Sequence, residues 1–235
     1  MLSTREFYGG GQGDRLVDPN CYPKEIVDFL REERKLLDSM AASIDTLVEI
    51  GCMHGRYLDW AVGLNKRYIG IDIVPRYINM GRRIVAKRRL ERKKYQFVLG
   101  GAEMVDVLAR QKAAPGKCLL FFPFNSFGNM ADPIPVILSV RKSNLPFLIS
   151  SYQTKRRSTT SRREYYRRCG YKDIVCTDDE KGVCFSSADG LKSIAYHPRH
   201  VQRICDANNL AVAIRLFSTI GIAYLSKEIN FIQNK

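Results

Sequence analysis

No apolar run in the 235 residues approaches the ~18 that a membrane-spanning helix needs; Leu119 to Phe124 is short and broken by Pro123. No apolar stretch follows the opening Met-Leu-Ser-Thr-Arg-Glu either, so no secretory signal is expected. The seven cysteines are an odd number and include no C-x-x-C pair, which argues against a zinc ribbon or a redox dithiol. Cys52, Cys118 and Cys184 sit inside apolar runs, where a free thiol behaves as a small hydrophobe, and a reducing, cytoplasmic setting is expected. Histidine is scarce, at three residues. His197 and His200 stand three apart, but no cysteine or carboxylate lies within a few residues of them, and Pro198 reads as a helix start, so no metal is expected. There is no G-x-S-x-G and no evident Cys–His pairing, which leaves no dedicated nucleophile in view. The cluster Gly9 to Asp14 is followed by no Gly-Lys-Ser/Thr and preceded by no strand; it reads as a flexible arm rather than a phosphate loop. Acids are few beside bases, 24 against 38, for a formal charge of +14. That excess bears on which surfaces the protein tolerates nearby and not on its fold.

What is present is an alternating pattern. A helix is expected from Pro23, with Ile26, Val27, Leu30 and Leu37 near helical spacing. Short strands are expected at Leu47–Ile50, Tyr68–Asp72, Gln96–Leu99, Cys118–Phe122 and Pro146–Ser150. Helices intervene, among them a long basic one from about Arg76 to Lys94. Strand, helix, strand, helix is the signature of a parallel sheet covered on both faces. The last third changes rhythm: Val183–Phe185 and Ser193–Tyr196 flank Ala188-Asp189-Gly190, a hairpin signal. A helix from Pro198 and strands at Leu210–Phe217 and Gly221–Leu225 follow, and the polar stretch Gln153 to Arg163 reads as a linker between the fifth strand and a helix that holds Tyr165 and Tyr166.

The most informative segment is Leu47-Val48-Glu49-Ile50-Gly51-Cys52-Met53-His54-Gly55. A strand runs into a glycine-bearing turn and a helix begins directly after, which brings backbone N–H groups close to a ligand. Twenty-three residues beyond Glu49, Asp72 ends the next strand, where an acid can take hydrogen bonds from ribose hydroxyls. The loop is not the G-x-G-x-x-G of a dinucleotide site. It does match an acid, one residue, then G-x-G-x-G, with Met53 in place of the middle glycine. Gly100-Gly101-Ala102-Glu103 follows the third strand, and Pro123-Phe124-Asn125-Ser126-Phe127-Gly128 the fourth. On these motifs the chain resembles the class I S-adenosylmethionine-dependent methyltransferases, well over 47–150 and loosely beyond.

The resemblance implies an α/β, Rossmann-like, doubly wound and mostly parallel sheet of about seven strands, with an antiparallel hairpin insertion near the C-terminus. One domain over 1–235 is expected: an arm and helix over 1–45 forming a lid, a cofactor-binding core over 46–150, and a substrate-covering insertion with closing strands over 151–235. It implies S-adenosylmethionine as cofactor, Glu49 near its amino group, Gly51 and Gly55 cradling its methionine part and Asp72 on the ribose. Ala102 and Glu103 would meet the adenine edge, with Pro123 beside the cofactor and Asn125 facing the sulfonium and acceptor. Methyl transfer is an in-line displacement that placement can accelerate without a protein nucleophile. A sulfonium suits aromatic faces, for which Tyr8, Phe124, Tyr165 and Tyr166 are candidates, the last two with Asn125 as the catalytic set. His54 reads as a loop residue with a solvent-facing ring.

Two basic runs remain, Arg82 to Lys94 and Lys155 to Arg168. The first is either an RNA-binding face or a solvated outer flank, and the second would clamp an anionic group on a small acceptor or contact nucleic acid. With no appended RNA-binding module evident, a small acceptor is favoured over RNA, and whether it is anionic stays open. Attack on the aminocarboxypropyl chain of the cofactor, releasing methylthioadenosine, stays open as a second use of the same site.

Overall fold

The computed structural model describes residues 2–112 and 117–227; Met1 and residues 228–235 of the single domain expected over 1–235 lie outside them. The strands are β1 (Thr46–Ile50), β2 (Arg67–Asp72), β3 (Tyr95–Leu99), β4 (Cys118–Phe122), β5 (Phe147–Tyr152), β6 (Val175–Asp178), β7 (Gly182–Ser186), β8 (Lys192–Tyr196), β9 (Val212–Leu216) and β10 (Gly221–Ser226). The helices are α1 (Thr4–Gly9), α2 (Lys24–Asp38), α3 (Leu58–Gly63), α4 (Pro75–Lys87), α5 (Val105–Lys112), α6 (Pro133–Ser143), α7 (Arg156–Arg168) and α8 (Pro198–Ala207).

Seven strands form one sheet in the order β3-β2-β1-β4-β5-β10-β9. The first five are parallel, and β10 runs antiparallel to both β5 and β9. Strands buried on both faces need no polar alternation, which is why β4 reads Cys-Leu-Leu-Phe-Phe without a break. One face carries Val48, Ile50, Leu120 and Phe122 against α5, α6 and α8. The other carries Leu47, Tyr68 and Phe121 against α2, α3 and α4. The strand order reverses between β1 and β4, the switch point where open α/β sheets leave a crevice beyond their carboxyl ends.

The expected hairpin is present as β7 and β8, and β6 joins it to make a separate three-stranded antiparallel sheet. A third cluster packs this sheet against the N-terminal segment and α7 through Phe7, Phe29, Tyr165, Tyr166, Phe185 and Leu191.

Three expectations need correction. The basic helix stops at Lys87 rather than Lys94, because Arg89 turns left-handed (φ 55°) and the Leu90 N–H closes on the Val85 carbonyl. The first basic run is therefore split between a helix and a loop. The polar stretch after β5 is no linker: most of it is α7, whose Ser158, Ser161 and Arg162 are buried. The glycine-rich start is docked, with Phe7 buried and Asp14 paired to Arg76 at 2.6 Å. In α2 the inward residues are Ile26, Phe29, Leu36 and Leu37, while Val27 faces solvent. Among the described residues no helix is long and apolar enough to cross a membrane, and none of the seven cysteines forms a disulfide.

Candidate active site

The turn after β1 and the end of β2 form one hydrogen-bonded unit. The Gly51 and Cys52 N–H groups both donate to the Ile71 carbonyl, at 2.9 and 3.1 Å. Asp72, 7% exposed, accepts from the Met53 N–H at 2.8 Å through Oδ2 and from the Val74 N–H at 2.9 Å through Oδ1. Burial raises its carboxyl above its ordinary value, and the N–H groups of Val74, Met53 and Ile73 oppose that rise. Gly51 has φ +74°, and a Cβ there would stand 3.0 Å from the Ser126 Cβ, so glycine serves both backbone and space. Met53 takes φ 50°, the left-handed geometry a glycine would supply, and the departure from the expected motif leaves the turn intact.

A cavity of about 270 Å³ opens at the switch point. Gly51, Asp72, Ala102, Glu103, Pro123 and Asn125, which the sequence reading grouped, all line it. So do the aromatic candidates Tyr8, Phe124, Tyr165 and Tyr166. Glu49 and Gly55 do not. Glu49 points to the helix side of β1, where its Oε2 accepts from the Tyr68 hydroxyl at 2.6 Å and the Tyr57 N–H at 3.1 Å. Its burial pushes the carboxyl up to about 8. Gly55 (φ +102°) is held free of a side chain by the Phe97 ring, 2.8 Å from where a Cβ would be.

No family model and no curated protein matches the chain. Solved structures do. An S-adenosylmethionine-dependent methyltransferase from Aquifex aeolicus is similar at 12% identity and TM-score 0.57, over 91% of this chain and 95% of that one. The magnesium protoporphyrin IX methyltransferase of Synechocystis, solved with S-adenosylmethionine, is similar at 9% identity and TM-score 0.56, over 97% of this chain and 99% of that one. A Burkholderia thailandensis 1,6-didemethyltoxoflavin-N1-methyltransferase, solved with 1,6-didemethyltoxoflavin and S-adenosylhomocysteine, matches at 10% identity and TM-score 0.56, over 98% and 92% of the two chains. The fold is that of the S-adenosylmethionine-dependent methyltransferases.

Within this methyltransferase fold, the three residues expected to be catalytic have their polar groups engaged. Asn125 sits at φ 58° after Phe124 at φ 48°, a left-handed pair that turns the chain sharply out of β4. Its Nδ2 donates to the Ile194 carbonyl and Ser193 Oγ at 3.1 and 3.2 Å, and its Oδ1 accepts from Ser151 Oγ at 2.6 Å. The amide therefore ties the turn to β8 and β5 and has no N–H left for the cavity. The Tyr165 hydroxyl donates to the Leu16 carbonyl and the Tyr166 hydroxyl to Ser193 Oγ, at 3.0 Å for the latter. These tyrosines offer the cavity ring surface, with centroids 5.1 Å apart.

No basic side chain of either run lines the cavity. Arg82, Arg83 and Arg92 are exposed on the outer flank of α4 and the loop after it. Arg162 is buried and spent structurally, donating to the Val183 and Ser193 carbonyls at 3.1 and 2.8 Å. The arginine that does line the cavity is Arg56, which the sequence reading passed over although it directly follows Gly55. His54 is half-buried and does not line the cavity. His197 contacts Thr154 and Asp178, while His200 stacks on Tyr196.

Proposed function

We propose that the chain is an S-adenosylmethionine-dependent methyltransferase acting on a small-molecule acceptor. The observation that carries this reading is the coupling of Gly51–Met53 to Asp72 at the wall of a cavity in the switch-point crevice. The residues suit the cofactor: a cradle that a Cβ at Gly51 would crowd, and the Ser126 Oγ and Asn129 Oδ1 atoms, buried without a partner beside the same cavity. Asp72 would accept the ribose hydroxyls on its remaining lone pairs, the Gly51 backbone would meet the methionine part, and Ala102 and Glu103 would meet the adenine edge, with Pro123 alongside. Bound there, S-adenosylmethionine would supply an electrophilic methyl group on a sulfonium.

The chain's own residues then orient and exclude. Tyr8, Phe124, Tyr165 and Tyr166 present ring faces, which favour a nearby cation and keep water out. Asn125 acts as a positioning residue that fixes the turn carrying Phe124. The N-terminal arm serves as the lid: Thr4, Tyr8, Leu16 and Val17 close one side of the cavity. A small acceptor is favoured because the walls are aromatic and mainly apolar while the basic side chains of the two runs lie outside them. Two similar methyltransferases bear names that specify small acceptors, a protoporphyrin and a toxoflavin precursor.

Calorimetry should show S-adenosylhomocysteine binding in the micromolar range, and Asp72→Ala should weaken it by more than about tenfold. Equal affinity in that variant, with its folding intact, would refute the assignment. Mass spectrometry of the nucleoside made from S-adenosylmethionine in acceptor-containing extract should show S-adenosylhomocysteine; methylthioadenosine would overturn methyl transfer.

A further inference from the structure

Beside the aromatic rings of the cavity lies a cation that forms no ion pair among the described residues. Arg56 lies between Tyr22 and Phe124, its guanidinium carbon 4.6 Å from the Phe124 ring centre. Among the described residues its side chain makes one hydrogen bond, from Nη2 to the Tyr22 hydroxyl at 3.3 Å. A guanidinium has five N–H donors, and contact with a ring face uses none of them. Among the described residues no carboxylate oxygen lies within 4 Å of it; the ion pairs formed by other arginines, Arg76 with Asp14 and Arg88 with Asp59, have no counterpart here. Two buried acids are near enough to act on it, yet both are engaged elsewhere. Glu33 takes the Phe124 N–H on both oxygens at 3.0 Å, and Glu49 is held by Tyr57 and Tyr68.

A half-buried guanidinium with spare donors, beside a cavity of mainly apolar wall, suits a planar oxyanion: the fork geometry matches a carboxylate, and the low-polarity surroundings strengthen the bond. We propose that Arg56 is the carboxylate-binding group of this cavity, receiving a carboxylate carried by the amino-acid end of the cofactor or by the acceptor. The inference rests on the proposed function, and the test separates the two.

S-adenosylhomocysteine and its decarboxylated analogue are titrated into the wild-type chain, Arg56→Gln and Arg56→Lys. If the cofactor supplies the carboxylate, the wild type prefers S-adenosylhomocysteine by at least about tenfold. Arg56→Gln then erases the preference without weakening the decarboxylated analogue, and Arg56→Lys restores part of it. If the acceptor supplies it, the two nucleosides bind alike in every variant. Benzoate, titrated with S-adenosylhomocysteine saturating, then binds the wild type and is lost in Arg56→Gln. A preference that survives in Arg56→Gln overturns the proposal, as does the absence of both a preference and Arg56-dependent benzoate binding. A wild-type chain that binds neither nucleoside defeats the proposed function instead, and benzoate alone then reads the Arg56 site.

Discussion

Replacing Glu49 with Gln should flatten the dependence of stability on pH. In the folded chain Oε2 of Glu49 takes two hydrogen bonds, while Oε1 is buried without a partner. Burial pushes the carboxyl from 4.5 up to about 8, against the two donors and Arg56. A group that holds its proton more tightly folded than unfolded contributes stability that is complete below the unfolded value, and is lost as pH rises through the folded one. Over that interval the loss is on the order of 5 kcal/mol, a large share of the ~5–15 kcal/mol typical of a domain. At ~2–4 °C per kcal/mol for a chain of this size, the wild-type Tm should fall by roughly 10 °C or more between pH 5 and pH 9. Gln keeps an acceptor oxygen for Tyr57 and Tyr68 and cannot ionise, so its Tm should fall by less than half as much. Glu33, pushed up to about 7 by its own burial, supplies the residual slope. Scanning calorimetry across that range is the assay. Parallel curves for the two proteins would mean that Glu49 is already ionised in the folded chain at neutral pH, and the reasoning would fail.

Two further substitutions probe the segments that carry cavity-lining residues, the turn of Ser126 and Asn129 and the arm of Tyr8 and Leu16. A Cβ at Gly128 would stand 1.9 Å from the Ile194 carbonyl of β8, so Gly128→Ala should cost about 1–3 kcal/mol or more in urea unfolding, while Gly63→Ala, with nothing within 4 Å, serves as control. Asp14→Ala removes an exposed ion pair to Arg76 worth up to about 1 kcal/mol; amide exchange over 4–17 should quicken by up to about fivefold, with β1 and β4 unchanged.

The parallel core was legible because its strands are short, mostly apolar runs bounded by turn residues, uninterrupted in β4, which is buried on both faces. The hairpin was legible from Asp189-Gly190. β6 was not: Val-Cys-Thr-Asp is mostly exposed and pairs on one side with β7, so neither hydrophobicity nor alternation marks it. The helix of Tyr165 and Tyr166 was expected, but the first two turns of α7 were missed because their buried positions are serines and an arginine, which look like a polar linker until Arg162 is seen bonded to two carbonyls. In the site, composition suggested which loops meet but not which way each side chain turns. Glu49 and Gly51 are two residues apart, yet the strand's carboxylate packs under α3 while the turn's glycine faces the cavity. Arg56 went unnoticed because one arginine among 38 basic residues carries no signal until its neighbours are known.

The three-stranded sheet is not a detachable module. Asn125 stitches the loop after β4 to Ser193 and Ile194, and Arg162 rivets α7 to Val183 and Ser193. Grafting that sheet into a related scaffold, or trading it for another's, would strand a buried guanidinium and a carboxamide unless both of their home segments travelled with it. The part of the cavity wall that Ser193 supplies would then change only by exchange of three co-adapted pieces together, a far rarer event than the swapping of a surface loop.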